Sequence, residues 1–280
     1  MIVVNKIKEL QEVLHSFRMK GKSIGFVPTM GALHKGHATL VKQSVDENDV
    51  TVVSIFVNPT QFNNQEDLRL YPRTLEADTH LLESIGTDIV FTPDVNEMYP
   101  ETDTRVFDFG KLDKVMEGRF RPGHFTGVAQ IVSKLFDAVK PHKSYFGEKD
   151  FQQLAIVREM VRQLQLPVEI IGVPIVREES GLAMSSRNER LTTQERENAA
   201  EIYRTLRESK KMYPDKTPAE VTAFVMKNLN KTPSLSVEYF EIVNGGTLQR
   251  ISDWNKCEYV VGCVAVFCGE VRLIDNIKYK

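Results

Sequence analysis

Two histidines three residues apart, His34 and His37, bracket Lys35-Gly36 directly behind the segment Phe26-Val27-Pro28-Thr29-Met30-Gly31-Ala32-Leu33. A short apolar run precedes them and an apolar helical pattern follows to about residue 45, so they stand where a strand hands over to a helix. In an open α/β sheet, ligands bind beyond the carboxyl ends of strands, and a helix start there offers amides and a favourable dipole to phosphate. On a helix, residues three apart share a face. Two imidazoles aimed at a triphosphate would stabilise the charge that builds on a bridging oxygen as it is displaced. Gly36 removes a side chain and would let a flat base or a phosphate approach the backbone. Taken alone, the pair reads equally as two surface histidines, or as half of a metal site for which no third ligand is evident nearby.

Four further clusters carry chemistry. Ser144-Tyr145-Phe146-Gly147 closes a second strand candidate and leads through Glu148-Lys149-Asp150 into a helix. A lysine there can meet phosphate as a point charge and an aspartate can accept from ribose hydroxyls; in isolation the tripeptide is a solvated turn. Leu182-Ala183-Met184-Ser185-Ser186-Arg187-Asn188 sets two hydroxyls beside a guanidinium, which suits a phosphate oxyanion, or forms a polar loop before a capped helix. Val57-Asn58-Pro59-Thr60-Gln61-Phe62 offers uncharged amides suited to hydroxyls, or an ordinary Asn-Pro turn. Arg119-Phe120-Arg121-Pro122-Gly123-His124-Phe125 is a basic, turn-rich loop able to cover a phosphate, or a surface loop whose charges carry little energy. A P-loop is excluded, because Gly-Lys-Ser at 21–23 would need glycine where Ser16 stands, and no G-x-G-x-x-G occurs.

The elements that must hold these residues follow from periodicity. The chain of 280 residues has room for one large domain or two ordinary ones. Strand candidates at 24–27, 50–57, 88–91, 144–146 and 168–173 alternate with helical patterns, one of them stopped by Gly86 and others by Pro141 and Pro167. Strand, helix, strand in succession predicts a doubly wound parallel sheet. After Val176 the pattern changes. A capping box at Thr192 opens one helix, Thr217-Pro218-Ala219-Glu220 opens another with Pro at its first position, and strand-like runs follow at 237–243, 259–267 and 271–274. The expected class is α/β, a Rossmann-like doubly wound parallel sheet over residues 1–176 with a smaller α+β domain over 177–280 that closes on the site of the first.

Composition narrows the function. A net charge of −2 offers no broad basic surface for nucleic acid. The longest apolar run, 259–268, is far short of the ~20 residues that span a bilayer. Lys6, Lys8 and Glu9 interrupt any signal-peptide core near the start of the sequence. Cys257, Cys263 and Cys268 cannot all pair, and their spacing suits no zinc site, so they read as core thiols. A cytoplasmic protein without nucleic-acid or membrane partners is expected.

In sequence order, Pro-Thr-Met-Gly-Ala-Leu-His-Lys-Gly-His at 28–37, Val-Asn-Pro-Thr-Gln-Phe at 57–62, Tyr-Pro-Arg-Thr at 71–74, Arg-Pro-Gly-His-Phe at 121–125, Phe-Gly-Glu-Lys-Asp at 146–150 and Met-Ser-Ser-Arg-Asn at 184–188 resemble the pantothenate synthetase family. That resemblance implies a usually homodimeric ligase of the nucleotidyltransferase superfamily marked by an H-x-G-H signature. The family condenses pantoate with β-alanine through a pantoyl adenylate formed from ATP with Mg²⁺, releasing pyrophosphate and AMP. By the same resemblance His37, His34 and Lys149 are catalytic, with His37 at the position usually assigned as proton donor. ATP would be bound by Met30, Gly31, Ala32, Leu33, His34, Lys35, Gly36, His37, Gly147, Glu148, Lys149, Asp150, Val176, Met184, Ser185, Ser186 and Arg187. Gln61 and Gln153 would bind pantoate, and Gln61 also β-alanine; metal ligands stay unassigned. The alternatives are a nucleotidylyltransferase acting on a phosphorylated acceptor, whose pocket should be basic where this chain offers Gln61 and Gln153, and a non-catalytic nucleotide-binding module.

Overall fold

The computed structural model describes residues Met1–Lys280. Six parallel strands form the larger sheet: β1 (Ile2–Val4), β2 (Ile24–Thr29), β3 (Val50–Ile55), β4 (Ile89–Phe91), β5 (Lys143–Gly147) and β6 (Glu169–Val173), in the order β1-β4-β3-β2-β5-β6. The chain winds outward from β2 through β3 to β4, then crosses back to β5 and β6. The winding therefore reverses between β2 and β5, the doubly wound arrangement expected from the sequence. Residues of β2 and β3 are buried almost without interruption, as strands covered on both faces must be. Leu40 and Val41, from the helix Lys35–Glu47, pack with Val27, Val53, Val90 and Tyr145 into one core. At the inner end of that helix the buried Tyr145 hydroxyl donates to Glu47 Oε2 at 3.0 Å and accepts from Asn48 Nδ2 at 2.7 Å. The edge strand β1, pairing Ile2 with Ile89, was not anticipated. Three residues, two of them exposed, are too few to show an alternation.

The remaining strands, β7 (Leu235–Asn244), β8 (Val260–Cys268) and β9 (Val271–Lys278), form an antiparallel sheet in that order. Its helices Thr193–Lys211 and Pro218–Leu229 both begin with a full capping box, Thr192 with Glu195 and Thr217 with Glu220. Leu206, Val221 and Val225 meet Phe240, Val264 and Leu273 in a second core. Cys263 and Cys268 are buried and unpaired, and Cys257 is half-buried.

The contacts divide the chain into two units: Met1–Phe109, Arg121–Glu148 and Gln153–Pro174 form one; Gly110–Phe120, Lys149–Gln152 and Ile175–Lys280 form the other. Side chains explain why two early segments belong with the second. The Gln152 amide donates to the carbonyls of Leu112 (2.7 Å) and Val115 (2.9 Å) and accepts from the Glu117 amide (2.9 Å). Glu117 in turn takes a two-pronged contact from Arg272 (2.9 and 2.7 Å) and the Tyr239 hydroxyl (2.8 Å).

In the first unit, the helix His124–Val139 packs directly on the short turn Pro59–Gln61. Gly127 makes this approach possible, since a Cβ there would lie 2.6 Å from the Thr60 carbonyl oxygen. Backbone cannot swing aside as a side chain does. Gly127→Ala is therefore expected to lower stability by about 1–3 kcal/mol, the cost of overpacking. Urea unfolding checks it, and an unchanged midpoint would show that the turn is free to move.

Candidate active site

At the winding reversal the carboxyl ends of β2 and β5 deliver residues 30–37 and Gly147. Beyond Thr29 the backbone turns through two left-handed residues, Gly31 (φ +80) and Ala32 (φ +50). A side chain at Gly31 would lie 3.0 Å from Ile55 Cγ2 and 3.1 Å from Asp78 Oδ2, so glycine is required twice over, by conformation and by space. At Ala32, which has a Cβ, the same conformation costs on the order of 1–3 kcal/mol. Asp78 offsets it. This carboxylate, 2 % exposed, accepts from the amides of Ala32 (2.9 Å) and Leu33 (2.8 Å), while the Thr74 hydroxyl donates to it at 3.2 Å. Thr74 is the last residue of the Tyr-Pro-Arg-Thr stretch and precedes the helix Leu75–Ile85 that carries Asp78.

Sequence reasoning passed over Asp78, since a single acid in a helical pattern reads as a solvated charge. The available signal was its phase: Asp78 lies four residues before the buried Leu82, in the apolar stripe.

The histidines correct one expectation. His34 is not on the helix; it is the extended N-cap (φ −133, ψ 177), and His37 is the third helical residue. Their pairing is a capping box built from imidazoles: the Gly36 amide donates to His34 Nδ1 at 3.1 Å, and the His34 amide donates to His37 Nδ1 at 3.3 Å. The ring centroids are 4.1 Å apart. Because each Nδ1 accepts, each neutral ring must carry its proton on Nε2. The cap thus settles the tautomer of both rings and makes Nε2 their donor atom. Lys35 between them is exposed, whereas Gly36 and both histidines are half-buried.

Met30 and Gln61 are brought together, with Gln61 Nε2 donating to Met30 Sδ at 3.0 Å. Gln61 Oε1 accepts from Asn58 Nδ2 at 3.2 Å, and the Gln61 carbonyl accepts from His124 Nδ1 at 2.9 Å. The Arg119–Phe125 stretch, expected as a loop, is largely helical: Met116–Phe120 and His124–Val139 leave only residues 121–123 between them. His124 and Phe125 are buried, at the start of a helix that packs on the 59–61 turn, which the local sequence could not reveal. Of the neighbouring glutamines, Gln152 is buried and wholly engaged with the 112–117 backbone, whereas Gln153 is half-buried. A Cβ added at Gly147 would meet no protein atom within 4 Å.

The second unit holds Lys149, Asp150, Val176 and residues 184–187. The Met184 amide donates to the Val176 carbonyl at 3.0 Å, so a tight hairpin sets these two candidate residues side by side. Arg177 anchors the hairpin, gripping Asp275 of β9 at 2.6 and 2.9 Å and lying 3.6 Å from the centre of the Tyr203 ring. Burial raises the Asp275 carboxyl above the usual carboxylate range, and the Arg177 guanidinium works against that rise. The next residue, Asn276, donates from Nδ2 to the Lys149 carbonyl at 3.2 Å. Ser185 caps the turn Ser186–Arg190 by accepting from the Arg187 amide at 3.3 Å. The buried Asn188 binds Glu178 (2.8 Å) and the Ala183 carbonyl (3.1 Å). Arg177, Asp275 and Asn276 were not found from sequence, because strand alternation does not distinguish a polar anchor from a surface residue.

Comparison with known proteins gives a consistent picture. The family described as Pantoate-beta-alanine ligase matches residues 2–278. A pantothenate synthetase of Bacteroides fragilis is 62% identical over 280 residues, covering 100% of this chain and 99% of its own. One of Porphyromonas gingivalis is 56% identical, with 100% of both chains covered. Among solved structures, pantothenate synthetase from Thermus thermophilus superposes with a TM-score of 0.93 at 45% identity, covering 100% and 99% of the two chains. A pantoate-beta-alanine ligase from Francisella tularensis, complexed with beta-gamma ATP and beta-alanine, gives 0.85 at 36%, covering 100% and 98%.

Asp78→Asn replaces one of two acceptors with a donor facing an amide. A stability loss of about 1.5–3 kcal/mol is expected, the scale of a hydrogen bond to a charged group. Activity should fall with it, because the cap beyond Leu33 loses its footing. Urea titration together with steady-state turnover checks this, and full activity in a protein of normal stability would remove Asp78 from the role.

Proposed function

This chain belongs to the pantoate–β-alanine ligase family, and from that premise we propose how its residues divide the work of the reaction. The enzyme joins pantoate to β-alanine using ATP. A carboxylate oxygen of pantoate attacks the α-phosphorus, the bond to the bridging oxygen breaks, and pyrophosphate leaves. The amine of β-alanine then attacks the acyl carbon of pantoyl adenylate and expels AMP. No protein nucleophile is needed, since the adenylate is itself the activated acyl donor.

The reciprocal histidine cap at the winding reversal carries this reading. Its two Nε2–H donors, with the amides and dipole at the start of helix Lys35–Glu47, form a fixed positive end for a triphosphate. His37 acts on the charge that appears on the bridging oxygen, assisted by His34 and Lys149. Residues 30–37, Gly147, Glu148, Lys149, Asp150, Val176, Met184, Ser185, Ser186 and Arg187 bind ATP. The open space over Gly147 fits a nucleotide lying against the backbone. Gln61 and Gln153 recognise pantoate through its hydroxyls, which leaves the carboxylate unneutralised and nucleophilic. Gln61 also borders β-alanine.

Mg²⁺ enters as part of Mg-ATP; no group of three or more His, Cys, Asp or Glu is gathered as a metal site. Use of ATP fits a cytoplasmic location, and no helix is long and apolar enough to cross a membrane. A homodimer is proposed from the family resemblance, and light scattering at micromolar concentration is expected to return twice the chain mass rather than once.

Pyrophosphate release that requires ATP and pantoate together, with no phosphorylated acceptor, is the expected result of the defining assay. Release with a phosphorylated acceptor alone would favour the nucleotidylyltransferase. In the same assay His37→Ala should slow single-turnover adenylate formation by about 10²–10³, the loss seen when one transition-state donor is removed. A variant of undiminished rate would exclude His37 from that step.

A further inference from the structure

Asn58 is 1 % exposed, and its amide is used to capacity within the protein. Nδ2 donates to Gln61 Oε1 and to the Gly127 carbonyl, both at 3.2 Å. Oδ1 accepts from the Tyr99 hydroxyl at 2.9 Å and the Thr60 hydroxyl at 3.1 Å. Two donors and two acceptor sites are all that a side-chain amide has. The Gly127 carbonyl can only accept, so turning the Asn58 amide over would set oxygen against oxygen. Asn58 must therefore present an N–H to Gln61. This decides which end of the Gln61 amide faces which way: the oxygen toward Asn58, the nitrogen toward Met30 Sδ. One N–H and one acceptor site remain on Gln61.

We propose that Tyr99 is a positioning residue for pantoate: through Asn58 its hydroxyl fixes the orientation of the Gln61 amide that reads a substrate hydroxyl. The inference rests on the assignment of Gln61 to pantoate. Tyr99 lies 41 residues from Asn58 in sequence, just past the short helix Val95–Met98, and reaches the chain of hydrogen bonds from outside the turn. Burial pushes its phenol above the ordinary value, which keeps the proton in place for donation. Lys134 Nζ stands 5.3 Å from the ring centre and Phe56 packs at a centroid distance of 6.4 Å, so the ring is held by packing independent of its hydroxyl. Tyr99→Phe should keep the packing and lose only the donor.

An amide held at fewer points samples orientations in which donor and acceptor face the wrong way. The expected consequence is selective. In Tyr99→Phe the KM for pantoate should rise about three- to tenfold, the scale of one net hydrogen bond, with the KM for ATP unchanged. Preference for pantoate over an analogue lacking one of its hydroxyls should shrink by a similar factor, since a site that pairs a hydroxyl rejects its absence only while the pairing group is held in place. Loss of a merely structural contact would lower the melting temperature without altering that preference. Thr60→Val removes the other hydroxyl donor to Asn58 Oδ1 and should act in the same direction, serving as the test if Tyr99→Phe does not fold. Unchanged pantoate KM in a folded variant, or equal rises for ATP and pantoate, overturns the proposal alone while wild type makes pantoyl adenylate normally. A wild-type protein that makes none overturns the functional reading and this inference with it.

Discussion

The Asp78 carboxylate sits beneath a turn that would otherwise have no reason to hold its shape. Burying such a group without partners costs several kcal/mol, and holding Ala32 in the left-handed region adds about 1–3 kcal/mol. Each cost is met by the other's need. The amides of Ala32 and Leu33 satisfy the carboxylate, and the carboxylate fixes the two peptides. Everything downstream inherits that geometry. With Leu33 fixed, His34 enters as an extended cap, its amide meets His37 Nδ1, and its own Nδ1 meets Gly36. The amides of Gly36 and His34 set the tautomer of the two imidazoles, in a cap that begins directly after the turn this buried acid holds.

The second unit solves a similar problem with a different device. Adjacent residues of β9 serve as its fixed points: Asp275 holds Arg177 and the hairpin that joins Val176 to Met184, and Asn276 holds the backbone at Lys149. β9 is an edge strand, but its antiparallel pairing with β8 runs along its whole length, so side chains fastened to it are tied to the sheet. Glu178 extends the arrangement, receiving both Asn188 and a two-pronged contact from Arg196 at 3.0 and 2.9 Å.

The two proposed kinds of recognition suit their substrates. In the proposed reading, the localised negative charge of a triphosphate is met by imidazole N–H groups, a helix start, a lysine and an arginine. Pantoate must keep its carboxylate reactive, and the uncharged amides proposed for its hydroxyls would bind it without neutralising the nucleophile. On that reading the amide of Gln61 would owe its specificity to a fixed orientation, and the saturated hydrogen bonding at Asn58 supplies that constraint.

Periodicity and turn chemistry were enough to place most strands, the capped helices Thr193–Lys211 and Pro218–Leu229, and the doubly wound class, because each depends on residues close in sequence. The candidate clusters were legible for the same reason: histidines around Gly36, Glu-Lys-Asp after a strand, serines before Arg187. What the sequence alone could not assign were long-range partners. Asp78 looks like any surface acid until its helix is laid under the 31–33 turn. Gln152 and Gln153 are chemically identical until one is found engaged with residues 112–117. Even the relation between His34 and His37, read as two positions on a helical face, proved to be a cap and its third residue. Local sequence sets which conformations are cheap, but the partner of a buried polar group is chosen by packing across tens of residues, and only the tertiary structure makes that choice.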